Sequence, residues 1–362
     1  IKFPSPKRID PQCEHFFQCG GCLLQHWNFE DYSSWKFNKI SLPILKISPK
    51  TVVKPIKTSS IGSRRHIKLK AKKNKSNTVI GFNEYRSNFI TKIEKCIIID
   101  AELEKLIHFL EKPLHQLLFV GDEIDIHTNL LDNGIDLLIE GIEKIDYNKL
   151  NVFTKAISQS KVIRFHRRLE DNTNELIFIK DVSSLHNKLF SSITFPPPGG
   201  FLQATIEGEN AILDSVIQAL NENKKTKLIC ELFCGCGTIT LPLAKRNYQV
   251  HAYELDKESL KAVDVASRKQ GVGNIVKTKV RDLKTFPLTS EELTKYDTII
   301  IDPPRSGASL QFLNIARSSI PLVISISCNI NTFLRDSKLL IENNYQLKLI
   351  QPIDQFLFSP HV

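Results

Sequence analysis

Three apolar runs in the C-terminal half, TKLICELF, YDTIII and PLVISI, each break off into glycine, proline or sulfur chemistry. Runs this short and continuous read as strands buried on both faces of a parallel sheet. Parallel strands need helical crossovers, so the segment folds as a βαβ series. Open α/β sheets carry their chemistry just outside the carboxyl ends of their strands. Here those ends deliver Cys234-Gly235-Cys236-Gly237, then Asp302-Pro303-Pro304-Arg305, then Cys328. Together they predict one cleft, with Cys328 in it as a nucleophile.

The first strand end has the form of a nucleoside site. Its turn reads E-x-F-C-G-x-G, with Phe233, Gly235 and Gly237 where backbone must approach a ligand at a helix N-terminus. The next strand, YQVHAYELD, reaches Glu254, 17 residues past Gly237, where a carboxylate accepts hydrogen bonds from both ribose hydroxyls. NAD enzymes use the same arrangement, but the full G-x-G-x-x-G of a pyrophosphate site is missing. S-adenosylmethionine, with a ribose, an adenine and a sulfonium but no phosphate, fits better. Asp282, in KVRDL, falls where the following strand should end; it is placed either to bond the adenine amine or to cap a helix.

The second and third ends define the reaction. Asp302-Pro303-Pro304 is similar to the loop with which exocyclic-amine methyltransferases hold their target, but those enzymes place a stacking aromatic at the fourth position, where this chain has Arg305. A guanidinium there is suited to a phosphate or a base carbonyl. Cys328 supplies what an aromatic carbon requires. C5 of uracil is a poor nucleophile until a thiolate adds to C6 and creates an enolate. Arg305 or a turn of backbone donors would favour that thiolate. A buried structural cysteine is the plainer alternative.

The N-terminal half carries different signals. The chain of 362 residues has a formal charge of +10 and a pI near 9.1. Residues 1–195 hold 30 Lys and Arg against 22 Asp and Glu, whereas residues 196–362 hold 19 against 17. Positive charge concentrated in one half favours a polyanion such as RNA. In RRHIKLKAKKNK, Ile67, Leu69 and Ala71 alternate with Lys68, Lys70 and Lys72, giving a half-buried strand with a basic face beside Arg65. Nucleic-acid contact through Arg65 and Lys68 is the sharper reading; a solvated edge strand is the alternative. Aromatics at positions 27, 29, 32, 35 and 37 fit no single period and read as packing near a metal site or as a stacking platform for bases.

CEHFFQCGGC places Cys13, Cys19 and Cys22 in a C-x5-C-x2-C array, and Cys96 follows alone in KIEKCIII. Four thiolates complete a soft ligand set for an iron-sulfur cluster or structural zinc. Zinc sites more often pair two CxxC knuckles, and only one is present. No run is long enough to span a membrane and no apolar leader is visible, so a cytoplasmic setting is expected, with cysteines reduced. No obligate protein partner is evident. PPPGG at 196–200 reads as the linker between two domains, 1–195 and 196–362. The chain begins at Ile1 and contains no methionine, which suggests trimmed ends.

These motifs together resemble the RNA 5-methyluridine methyltransferases that carry an iron-sulfur cluster. The resemblance runs from CEHFFQCGGCLLQHW through GFNEYRSNF, GGFLQAT, ELFCGCGTITLPLA, DPPRSGAS and ISCNINTFLRD to DQFLFSPHV. It implies a β-rich α+β domain holding a 4Fe-4S cluster on Cys13, Cys19, Cys22 and Cys96, followed by a Rossmann-like methyltransferase domain. It implies that Gln203, Glu254 and Asp302 contact S-adenosylmethionine, that Cys328 is the nucleophile, and that the substrate is a uridine of ribosomal or transfer RNA, ribosomal being favoured, flipped into the pocket. Two departures stand out. Many members begin with a small β-barrel not seen here, and the family's proton-removing glutamate follows the pair that is His361-Val362 in this chain. An inactive, RNA-binding iron-sulfur protein is therefore the alternative from another class.

Overall fold

The structure is a computed structural model that describes residues 3–142, 144–180 and 185–361. A cysteine-bearing loop leads into helix α1 (Phe29–Ile47) and two short strands, β1 (Val52–Val53) and β2 (Lys57–Thr58). Then come β3 (His66–Lys73), β4 (Thr78–Asn83), β5 (Ile90–Lys92), α2 (Ala101–Leu117), β6 (Glu123–Leu131), β7 (Gly134–Glu140), α3 (Tyr147–Ile157), β8 (Val162–Arg168) and β9 (Asn174–Ile179). The last seven strands form one sheet in the order β5-β4-β3-β6-β7-β8-β9, antiparallel except between β7 and β8. Helix α2 repeats leucine and isoleucine at helical spacing, and this stripe, with Phe153 and Ile157 of α3, packs on the sheet to make its core.

Strand β3 alternates as its sequence predicts, with Ile67, Leu69 and Ala71 buried and the lysines on the other face. The register sets Lys70 opposite Asp125 and Lys72 opposite Glu123. Lys68 and Lys70 each reach Asp125 at 2.8 Å, and Lys72 reaches Glu123 at 3.3 Å. The basic face expected from β3 alone is thus charge-balanced by β6.

A hairpin, β10 (Asn187–Leu189) and β11 (Ser192–Thr194), and helix α4 (Ile206–Glu222) open the second sheet. It is built from β12 (Leu228–Leu232), α5 (Thr240–Ala244), β13 (Gln249–Glu254), α6 (Lys257–Lys269), β14 (Val276–Val280), α7 (Ser290–Leu293), β15 (Thr298–Ile301), α8 (Ser309–Ala316), β16 (Leu322–Ser325) and α9 (Ile330–Glu342). Five parallel strands lie in the order β14-β13-β12-β15-β16, the Rossmann-like arrangement expected. Winding reverses between β12 and β15, which makes their carboxyl ends the topological switch point where ligands bind.

The division expected at residues 195 and 196 is crossed in both directions. Two tail strands, β17 (Leu349–Ile350) and β18 (Ile353–Asp354), pair in parallel with β1 and β2. Helix α1 packs on α9, and β11 packs on α5 and α6. Residues from both halves therefore shape the second sheet's surroundings. Among the described residues no helix is long and apolar enough to cross a membrane.

Candidate active site

The carboxyl ends of β12, β13, β15 and β16 open into one cavity of about 1860 Å³, lined by Phe233, Gly235, Glu254, Asp302, Arg305 and Cys328. The three strand ends picked out by the sequence do meet. Phe233 and Gly235 both have positive φ, 62° and 52°, so the chain turns sharply as it leaves β12. A side chain at Gly235 would project into open space, leaving the backbone bare toward the cavity. Gly237, also at positive φ, has a second requirement: a Cβ there would come within 2.9 Å of Val263 on α6, so the glycine also permits close packing beneath the turn.

Glu254 ends β13. Its Oε2 accepts from Gly235 N at 3.1 Å and its Oε1 from Leu255 N at 2.7 Å, which fixes the carboxylate at the cavity edge. Asp302 directly follows β15, and among the described residues its carboxylate accepts no hydrogen bond. By surface area it is only half-buried because it faces the cavity, yet the protein crowded around it pushes its pKa up to about 7. An unpartnered carboxylate in a cavity is costly unless a ligand completes it. Gln203 Oε1 accepts from Gln355 Nε2 at 2.7 Å, leaving its own amide N–H groups for the cavity it lines. Asp282 accepts from Lys284 N and Thr285 N at 3.0 and 3.1 Å, so it caps the turn after β14 with one oxygen while still lining the cavity.

Cys328 follows β16 and is exposed. Its neighbour Asn329 caps α9 and also donates from Nδ2 to Arg305 O at 3.1 Å, tying the nucleophile loop to the Asp302 loop. Arg305 Nη2 lies 3.4 Å from His361 Nδ1. Partial burial raises the Cys328 thiol above its ordinary pKa, Asp302 adds to the rise, and Arg305 opposes it. Because the Asp302 charge disfavours the thiolate, Asp302→Asn is expected to shift alkylation of Cys328 to lower pH. Its iodoacetamide rate at pH 8, followed by peptide mass spectrometry, should rise severalfold.

The four N-terminal cysteines are free and half-buried. Their loop docks on the end of β4: Gly20 N donates to Asn83 O at 2.9 Å, and a Cβ at Gly20 would strike that carbonyl at the same distance. Burial raises the Cys19 and Cys96 thiols and pushes Cys22 up to about 12, and each of the three is raised further by neighbouring thiols of the set, so they lie within electrostatic reach of one another. Gly21 N points at Cys19 Sγ at 3.4 Å, and the buried Gln25 amide, whose Nε2 meets no other acceptor, faces the Cys22 thiol and favours its thiolate. Donors aimed at sulfur suit a thiolate-bound group. Even so, among the described residues no three such side chains stand close enough to hold a single metal ion.

The tRNA (uracil-5-)-methyltransferase family profile matches residues 178–362. An uncharacterized RNA methyltransferase of Brucella melitensis is 32% identical over 99% of this chain and 84% of its own length. This chain belongs to the tRNA (uracil-5-)-methyltransferase family. The 23S rRNA (uracil(1939)-C(5))-methyltransferase RlmD of Shewanella woodyi is 27% identical over 98% of this chain and 81% of its own. In fold the chain is similar to the Pyrococcus abyssi tRNA (uracil-54, C5)-methyltransferase, with a TM-score of 0.75, 19% identity, and 99% and 84% of the two chains covered.

For an RNA (uracil-5-)-methyltransferase, one expected substrate contact is misplaced. Arg65 is 2% exposed; it donates to Glu209 Oε2 at 2.7 Å and to Asn187 Oδ1 at 2.6 Å, so its guanidinium is inside the protein and cannot reach RNA. Lys68 is at the surface but ion-paired. Two features were missed. Glu231 lies buried under the glycine turn, accepts from Thr240 Oγ1 at 2.5 Å, and is pushed up to about 8 by burial, which favours its neutral form. The first letter of E-x-F-C-G-x-G was its only trace. Gln355, which holds Gln203, was given no role although it lies in the DQFLFSPHV segment.

Proposed function

We propose that the protein methylates C5 of a uridine in structured RNA, ribosomal RNA in preference to transfer RNA, through a covalent bond between Cys328 and C6 of the base. The observation that carries this reading is the pairing of an exposed cysteine with an unpartnered carboxylate, Asp302, in one cavity at the switch point. Cys328 Sγ adds to C6, which makes C5 nucleophilic; after methyl transfer the C5 proton leaves and the thiol is eliminated. The preference for ribosomal RNA draws on the likeness to RlmD along nearly the whole chain.

S-adenosylmethionine is the methyl donor in this reading, supplying an electrophilic methyl carbon on a sulfonium. The residues present fit it: bare backbone at Gly235, Glu254 at the end of β13 for a ribose, and Asp302 for a cationic group. Gln203, Phe233 and Asp282 also line the cavity, and the exposed Arg305 is suited to phosphate or a base carbonyl.

Cys13, Cys19, Cys22 and Cys96 hold a 4Fe-4S cluster in the same reading. A cubane gives each thiolate its own iron and so asks for wider sulfur spacing than one ion's tetrahedron. Anaerobic reconstitution with iron and sulfide should load roughly four irons per chain, and Cys96→Ser should lose most of them. Function is tested by incubating the protein with labelled S-adenosylmethionine and total RNA, then digesting to nucleosides. Label in 5-methyluridine from ribosomal RNA is the expected result; label in an N-methylated base would overturn the C5 reading.

A further inference from the structure

Segment 354–361 touches the cavity on one side and is gripped on the other. Gln355 and Phe356 line the cavity, and His361 stands beside Arg305 at its mouth. From α1, the fully buried Lys36 donates to Asp354 Oδ1 at 2.5 Å and to Phe356 O at 2.9 Å. Tyr32 OH donates to Asp354 Oδ2 at 2.7 Å and accepts from Phe358 N at 2.9 Å. Lys39 donates to Pro360 O at 2.6 Å. From the cysteine loop, Leu23 N and Leu24 N, directly after Cys22, both donate to Phe358 O, at 2.8 and 2.9 Å. The Arg64 guanidinium lies over the Phe356 ring at 5.6 Å.

Such a dense set of directional contacts over eight residues is more than burial requires. A buried ion pair adds little net stability over apolar packing, but it does enforce one geometry. We propose that α1 and the cysteine loop form a clamp that positions segment 354–361 against the cavity, with Tyr32, Lys36 and Asp354 as positioning residues for methyl transfer. The inference rests on the uracil-C5 reading for its catalytic half. It also connects the cysteine array to the reaction, because the backbone that carries Cys22 sets the position of Phe358 and so transmits order at the thiols to the active-site wall. Displacing a substrate-facing wall by about 1 Å can cost on the order of a hundredfold in rate.

The test combines hydrogen exchange with kinetics on the full chain. Tyr32→Phe keeps the ring and removes both hydroxyl contacts, and Lys39→Ala removes an outer contact without disturbing the core. Each should accelerate exchange of the Phe356 and Phe358 amides, by about tenfold or more for Tyr32→Phe, while amides of β12, β13 and β15 stay within about twofold. With RNA and S-adenosylmethionine, kcat should fall about tenfold in Tyr32→Phe, and KM for S-adenosylmethionine should change less than about threefold. Unchanged exchange in both variants overturns the clamp, as does a loss of kcat that appears only with faster exchange of the whole sheet. If the unaltered protein forms no 5-methyluridine, the reading of function fails instead, and the exchange result alone decides the clamp.

Discussion

Replacing Cys328 with alanine should abolish methyl transfer and leave the fold intact. The side chain is exposed, so its loss opens no cavity, and the cap that Asn329 provides to α9 is a property of the neighbouring residue. Stability should change by no more than about 0.5 kcal/mol. The rate, by contrast, should fall by at least about 10⁴-fold, because without the sulfur no group raises electron density at C5. Transfer of labelled methyl groups to RNA, beside a thermal melt of the same sample, separates the two effects. A variant that keeps a tenth of the activity would show that Cys328 is not the nucleophile.

Arg65→Ala should produce the largest loss of stability, about 3–5 kcal/mol. Arg65 is the cation of a buried cluster that joins the start of β3 to α4 and β10. Removing it leaves Glu209 as an uncompensated buried carboxylate, already with one oxygen unpartnered, and leaves Asn187 short of a donor. The guanidinium also donates to Gln203 O, so its loss loosens a wall of the cavity as well. Lys68→Ala, three residues on and at the surface of β3, should cost less than about 1 kcal/mol. Denaturant unfolding of the two variants checks the contrast. Equal small effects, together with weakened RNA binding by the folded Arg65 variant, would return Arg65 to the substrate.

The contrast between these two residues shows what the sequence conveyed. Periodicity and strand-end chemistry are local, so the alternation in β3 was legible, and the three strand ends around Cys328 were legible and meet as expected. Charge partners are not local. Glu209 lies 144 positions from Arg65, and the acids that neutralise Lys68 and Lys70 sit on β6. A run of lysines read without its neighbouring strand therefore looks more basic than it is. The aromatics from position 27 onward fitted no period because the helix begins at Phe29: Trp27 lies outside it and meets Trp35 edge to face, while Tyr32 turns inward to Asp354. The two-residue strands β1, β2, β17 and β18 are too short to leave any pattern, and so the crossing between the halves was invisible.

The most direct test of the central claim is a covalent trap. The protein is incubated with S-adenosylmethionine and RNA substituted with 5-fluorouridine, and the intact protein is weighed by mass spectrometry. Fluorine at C5 cannot leave as a proton does, so the Cys328–C6 bond should persist and a protein–RNA adduct should accumulate, absent in Cys328→Ala. The adduct precedes proton removal, so the result does not depend on which group takes that proton. If RNA and cofactor both bind and no adduct forms, attack by Cys328 on C6 is contradicted and the proposed route to C5 falls with it.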